Sequence, residues 1–143
     1  MRICKQYTIT FAAVCALVVG WMTASLTAYG GPRVIEILAD KDSHYKIAGQ
    51  NKPQLALKAG EQILLRIDAR KSRTWSRDGS VHGFTMMRVK DHARVPSWDF
   101  ELRPGMNEFP VTAPAEPGEY EVMCTVICSG DHEGMRMKVV VAP

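Results

Sequence analysis

The sequence predicts an all-β domain, a sandwich of short strands, preceded by one apolar N-terminal segment. Three features lead there. Beyond Gly30, turn-forming residues recur at the intervals expected of short strands following one another in an antiparallel sandwich. The clearest segments alternate apolar and polar side chains, so that each offers one face to a core. No stretch of useful length repeats its apolar residues at the helical period. Once the N-terminal segment is set aside, the 143-residue chain has enough left for one core but not two. Residues 31–143 are therefore expected to form a single domain.

The first unit, residues 1–30, is read from charge and length. No residue between 6 and 32 is charged, Arg2 and Lys5 precede the stretch, and it is long enough to cross a bilayer. It reads as an uncleaved transmembrane anchor. The alternative is a cleaved export signal, for which Thr23-Ala24-Ser25 and Leu26-Thr27-Ala28 are modest cleavage sites. Under either reading the positive end stays inside, so the domain is expected on the outer face of the cell membrane.

The domain itself opens with a strand at Arg33–Ala39, followed by residues 40–53, its least determined part. A short strand at 55–57 leads through the turn Lys58-Ala59-Gly60-Glu61 into a strand at Gln62–Ala69. There Ile63, Leu65 and Ile67 share one face, Gln62, Arg66 and Asp68 share the other, and Leu64 breaks the pattern. Residues 71–80 read as a polar loop. Strands are expected at 83–89 and 106–112, then, after a turn marked by Pro114, Pro117 and Gly118, at Gly118–Met123. The last strand, 135–141, alternates Met135, Met137, Val139 and Val141 with Arg136 and Lys138.

A formal charge of +3 and aromatic residues that are not interleaved with basic runs argue against nucleic acid as a partner. The cysteines say more. Cys4 and Cys15 lie before or within the apolar segment, which leaves Cys124 and Cys128 in the domain. Two thiols on one short loop in an oxidising compartment call for a strained local disulfide or a metal.

The stretch Cys124-Thr-Val-Ile-Cys128-Ser-Gly-Asp-His132-Glu-Gly-Met135 gathers two thiols, an imidazole and a thioether between two expected strands. Such soft donors favour copper, and a weak axial methionine is typical of copper electron-transfer sites. Zinc prefers harder company than methionine. One copper would use Cys128, His132, Met135 and a second histidine from earlier in the chain. Cys124 is then left unexplained, whereas two thiolates can bridge two copper ions, with the Val126 carbonyl as a further weak ligand. For the distant imidazole, His82 in Gly79-Ser80-Val81-His82-Gly83-Phe84 stands at a loop-to-strand junction. His44 and His92 sit in polar, turn-rich surroundings and read as surface histidines.

The pattern Cys-xxx-Cys-xxx-His-xx-Met, with His-Gly-Phe upstream, resembles the CuA domain of cytochrome c oxidase subunit II, and is similar to that of nitrous oxide reductase. The likeness runs from about Arg33 to Val141, through Ala59-Gly60-Glu61 and Pro117-Gly118-Glu119-Tyr120, and is strongest in the last quarter. A short chain with one N-terminal span resembles the small bacterial form of the subunit. The resemblance implies a cupredoxin-like Greek-key β-sandwich and a binuclear copper centre. Within that centre it implies bridging by Cys124 and Cys128, one copper each for His82 and His132, Met135 as axial ligand and a carbonyl contact from Val126. It further implies a non-catalytic electron-entry subunit, which takes electrons from a c-type cytochrome or a small copper protein and passes them to a haem-copper oxidase core.

Three positions depart from the family pattern. Ser129 stands where glycine is usual after the second cysteine. Val126 replaces a residue that is often glutamate, so the magnesium contact of larger oxidases is not expected. Residues 40–45 show no counterpart of the tryptophan-rich patch through which many subunits II receive electrons.

Two other readings stay open at this stage: a membrane-tethered cupredoxin that stores, delivers or relays copper or electrons outside an oxidase, and a local disulfide between Cys124 and Cys128. Trp75 and Trp98 read as packing aromatics, and Met86, Met87, Met123 and Met137 as core or sheet surface. The basic stretch Arg66, Arg70, Lys71, Arg73 and Arg77 reads as a solvated face.

Overall fold

The structure is a computed structural model, and it describes residues 30–71 and 76–143. The expected N-terminal anchor, residues 1–30, lies outside the described residues except for Gly30, and so does Trp75. Among the described residues no helix is long and apolar enough to cross a membrane.

Among the described residues nine strands build two sheets: β1 (Arg33–Ala39), β2 (Tyr45–Lys46), β3 (Gln54–Lys58), β4 (Gln62–Ala69), β5 (His82–Arg88), β6 (Arg94–Leu102), β7 (Gly105–Thr112), β8 (Gly118–Met123) and β9 (Arg136–Ala142). One sheet runs β2-β1-β4-β7 and the other β3-β9-β8-β5-β6. Alternation puts Ile35 and Ile37 of β1 and Ile63, Leu65 and Ile67 of β4 into the core from the first sheet. From the second come Leu55, Leu57, Phe84, Met86, Val122, Met137, Val139 and Val141. An all-β sandwich is what the sequence predicts, and this is one.

The arrangement is not purely antiparallel. β1 pairs parallel with β4, and β3 pairs parallel with β9. The reason is the crossing between layers: β3 leaves the first sheet and joins the second, so β1 and β4 meet through a crossover rather than a hairpin.

Two strands lie where the sequence reading placed none. β2 has only two residues and offers no period. β6 contains Pro96, which is tolerated because β6 is an edge strand, and its Trp98, Phe100 and Leu102 alternate with Asp99 and Glu101. Trp98 is fully buried, and its indole N–H donates to the Thr112 carbonyl at 2.8 Å, linking the edge of one sheet to the edge of the other.

β5 is unusual in being buried on both faces from His82 to Met86. His82, Phe84 and Met86 alternate with Gly83 and Thr85, and this second face is covered by the loop that follows β8. The Thr85 hydroxyl lies 2.9 Å from that of Thr125. A Cβ on Gly83 would stand 2.5 Å from the Thr125 hydroxyl oxygen. The fold thus presses the cysteine loop onto the start of the strand that carries His82.

Candidate metal centre

Each side of the site is fixed locally. Gly79, at φ +87°, makes the turn before β5, and Asp78 accepts hydrogen bonds from the Ser80 amide at 3.0 Å and the Ser80 hydroxyl at 2.7 Å. The Val81 amide then donates to the Leu102 carbonyl at 2.8 Å, which starts the pairing that sets His82 at the head of β5. On the other side β8 and β9 pair antiparallel as far as Met123 and Arg136. The Cys124 amide donates to the Met135 carbonyl at 3.1 Å, so the loop 124–135 is closed at its neck.

Inside the loop the two sulfurs stand 3.6 Å apart as free thiols, both buried. They are not joined, so the local disulfide is not the state of this structure. The Gly83 amide donates to the Cys124 sulfur at 3.2 Å, and the Cys124 thiol donates to the Val126 carbonyl at 3.1 Å. That carbonyl therefore faces the sulfur pair.

His82 is fully buried, and its Nε2 lies 2.9 Å from the Arg70 carbonyl. A carbonyl only accepts, so Nε2 carries the proton and Nδ1 keeps its lone pair. Nδ1 is buried without a hydrogen-bond partner. A buried acceptor left unpaired is costly unless a ligand completes it. The ligand atoms of His82, Cys124 and Cys128 all lie within 4.8 Å of one another. An imidazole oriented by a backbone carbonyl at one nitrogen, with its other nitrogen beside two thiols, is a donor set suited to copper or another thiophilic ion.

The two sulfurs titrate as a pair. Cys128 is held below the ordinary thiol range, first by its hydrogen bond with Cys124, with burial opposing. Cys124 is pushed up, first by its bond to Cys128 and then by burial.

The other expected ligands are placed differently. Met135 is fully buried, and its amide donates to the His132 carbonyl at 3.0 Å. His132 begins a single 3₁₀ turn, His132–Gly134, is half-buried, and has its Nδ1 3.0 Å from the Ser129 carbonyl. It does not join the compact group formed by His82 and the two cysteines. His44 and His92 are exposed, as expected of surface histidines.

Sequence reasoning missed two neighbours of the site, both in the stretch it could not resolve. Tyr45 is buried, packs edge-on against Phe84 at 5.3 Å and donates its phenol proton to the Gly83 carbonyl. Burial first, and then the charges of Cys124 and Cys128, push its pKa well up. Ser43 is 3% exposed and lies 2.6 Å, hydroxyl to hydroxyl, from Ser129. No pattern in residues 40–53 announces either contact, because both depend on how β1 and β2 turn over the loop.

No protein-family model matches the chain, and no curated protein sequence matches it either. Solved structures do. Auracyanin B superposes with a TM-score of 0.54 at 18% identity, over 80% of this chain and 92% of that one. The fold is cupredoxin-like. Auracyanin A, a blue copper protein of the green thermophilic photosynthetic bacterium Chloroflexus aurantiacus, gives 0.51 at 22% identity, over 78% of this chain and 99% of that one. A chain of a heme-copper terminal oxidase gives 0.50 at 17% identity, over 78% of this chain and 65% of that one. At these identities the likeness is one of fold.

Proposed function

We propose that the chain is a copper-binding electron-transfer domain with a binuclear, CuA-type centre, acting as subunit II of a haem-copper terminal oxidase. The observation that carries this reading is the buried group of His82, Cys124 and Cys128, with the His82 Nδ1 left without a partner. A single-copper site requires one cysteine; here two sulfurs face each other at 3.6 Å in one closed loop.

Bound copper supplies reversible one-electron exchange; the chain supplies the frame. On this reading the coppers would be held by the sulfurs of Cys124 and Cys128, the Nδ1 of His82, the Val126 carbonyl, His132 and Met135. The Arg70 carbonyl fixes the His82 tautomer, and the Gly83 amide holds the Cys124 sulfur from behind. Strands on both sides keep the loop stiff, so the ligands move little as the charge changes. Residues 1–30 would tether the domain to the outer face of the membrane. A c-type cytochrome or a small copper protein would deliver electrons, and the oxidase core would receive them.

A second reading is favoured by one observation: the compact group has three ligands and excludes His132. This geometry suits one metal ion, as in a tethered cupredoxin that stores or delivers copper outside an oxidase. Copper content and electron paramagnetic resonance separate the two. Two coppers per chain with a multi-line mixed-valence signal, lost in Cys124→Ser, are expected. One copper per chain, or an unchanged signal in that variant, would sink the binuclear assignment.

A further inference from the structure

Ser129, the residue after the second cysteine, is tied to a part of the molecule far away in sequence. Its hydroxyl oxygen lies 2.6 Å from that of Ser43 and accepts the Asp131 amide proton at 3.1 Å. Ser43 sits between β1 and β2 at φ +60°, a left-handed conformation that serine adopts at a cost and glycine would adopt freely. The Ser43 amide donates to the Asp40 carbonyl at 3.1 Å, closing this turn, and the side chain is buried. A turn that glycine would suit better thus keeps a hydroxyl and points it into the base of the cysteine loop. The Asp131 amide and the Ser43 hydroxyl thus both meet Ser129, the residue next to Cys128.

We infer that Ser43 and Ser129 form a positioning clasp for the metal loop. The Asp131 amide donates to Ser129, and the hydroxyls of Ser129 and Ser43 share a hydrogen bond. The clasp holds the loop, and with it the neighbouring Cys128, to the β1–β2 turn. Ser43 and Ser129 are positioning residues, acting through Cys128. The part concerning copper rests on the function proposed above; the clasp itself does not.

The test has two arms, both on the full chain. In the metal-free protein, Ser43→Ala should speed exchange of the Asp131 amide by about fivefold, the factor expected for one ordinary hydrogen bond. In a Ser129→Ala background the same change should add nothing, as a shared chain requires. In the copper-loaded protein, Ser43→Ala and Ser129→Ala should both change the reduction potential and shift the sulfur-to-copper charge-transfer band, because each releases the residue beside Cys128 from the β1–β2 turn. Ser129→Thr, which keeps the hydroxyl, should leave both as they are. An unchanged potential and band in Ser43→Ala overturn the inference, as does additivity of the two alanine changes on amide exchange. If the wild-type chain takes up no copper, the copper reading fails and the amide arm alone decides the clasp.

Discussion

A methyl group on Gly83 would stand 2.5 Å from the Thr125 hydroxyl oxygen, 2.6 Å from the Thr125 amide nitrogen and 3.1 Å from that of Val126. Two of these atoms are backbone, so the loop itself must move. Gly83→Ala is therefore expected to destabilise the domain by about 1–3 kcal/mol, measured by urea unfolding. It should also weaken metal retention, because Thr125 and Val126 are displaced from the sulfurs. A variant as stable as wild type would contradict the close approach. Proton chemistry makes a second prediction at this scale. Cys124 holds its proton above the ordinary thiol range, so loading a metal onto it must release that proton. Metal affinity should then rise with pH and fall with acidification, as read by competition with a chelator. The cysteines and His82 were legible as donors in the sequence, because their chemistry is carried by residue type. Ser43, Tyr45 and the Arg70 carbonyl were not, since each acts only through a contact made by folding.

Among the elements, β6 bears the most on how the layers join. Trp98 fills the core and its N–H reaches the Thr112 carbonyl on β7, so one side chain secures two sheet edges. Trp98→Ala should cost about 3–5 kcal/mol in urea unfolding. Trp98→Phe keeps most of the packing but leaves that carbonyl without its donor, and should cost about 1–3 kcal/mol. Equal losses in the two variants would show that the volume matters little beside the hydrogen bond. The sequence reading places no strand at β6, although Trp98, Phe100 and Leu102 alternate with Asp99 and Glu101 there; Pro96 is unusual in a strand and is tolerated only at an edge. β2 carried no such signal. By contrast β1, β4 and β8 were placed residue for residue, since an alternating strand with one buried face has a single consistent register.

For the whole molecule, the surface ion pairs set the response to acid. Asp40 is held below the ordinary carboxylate range, first by its hydrogen bond from Lys46, and Glu61 first by that from Arg33. Their folded-state values lie below the unfolded ones, so the unfolded chain binds more protons as pH falls. The stability they lend is present above the ordinary carboxylate range and is lost as pH drops through their lowered values. Unfolding free energy should decline with acidification over that window, and the slope should flatten in Asp40→Asn. A slope identical to wild type would show that this pair is fully screened. The effect should shrink in high salt, because Lys46 and Arg33 are substantially exposed.

The sequence by itself determined the class of fold and the chemistry of the loop. Strand alternation is a local property, and two thiols, an imidazole and a thioether in twelve consecutive residues need no folding to be noticed. Only the tertiary structure decided which of those donors meet. It brought His82 from the head of β5 to Cys124 and Cys128, left its Nδ1 unpaired, and kept His132 against the Ser129 carbonyl. The physical reason is that a metal site is a set of distances between segments, fixed here by how β5 packs under the loop that closes β8 and β9.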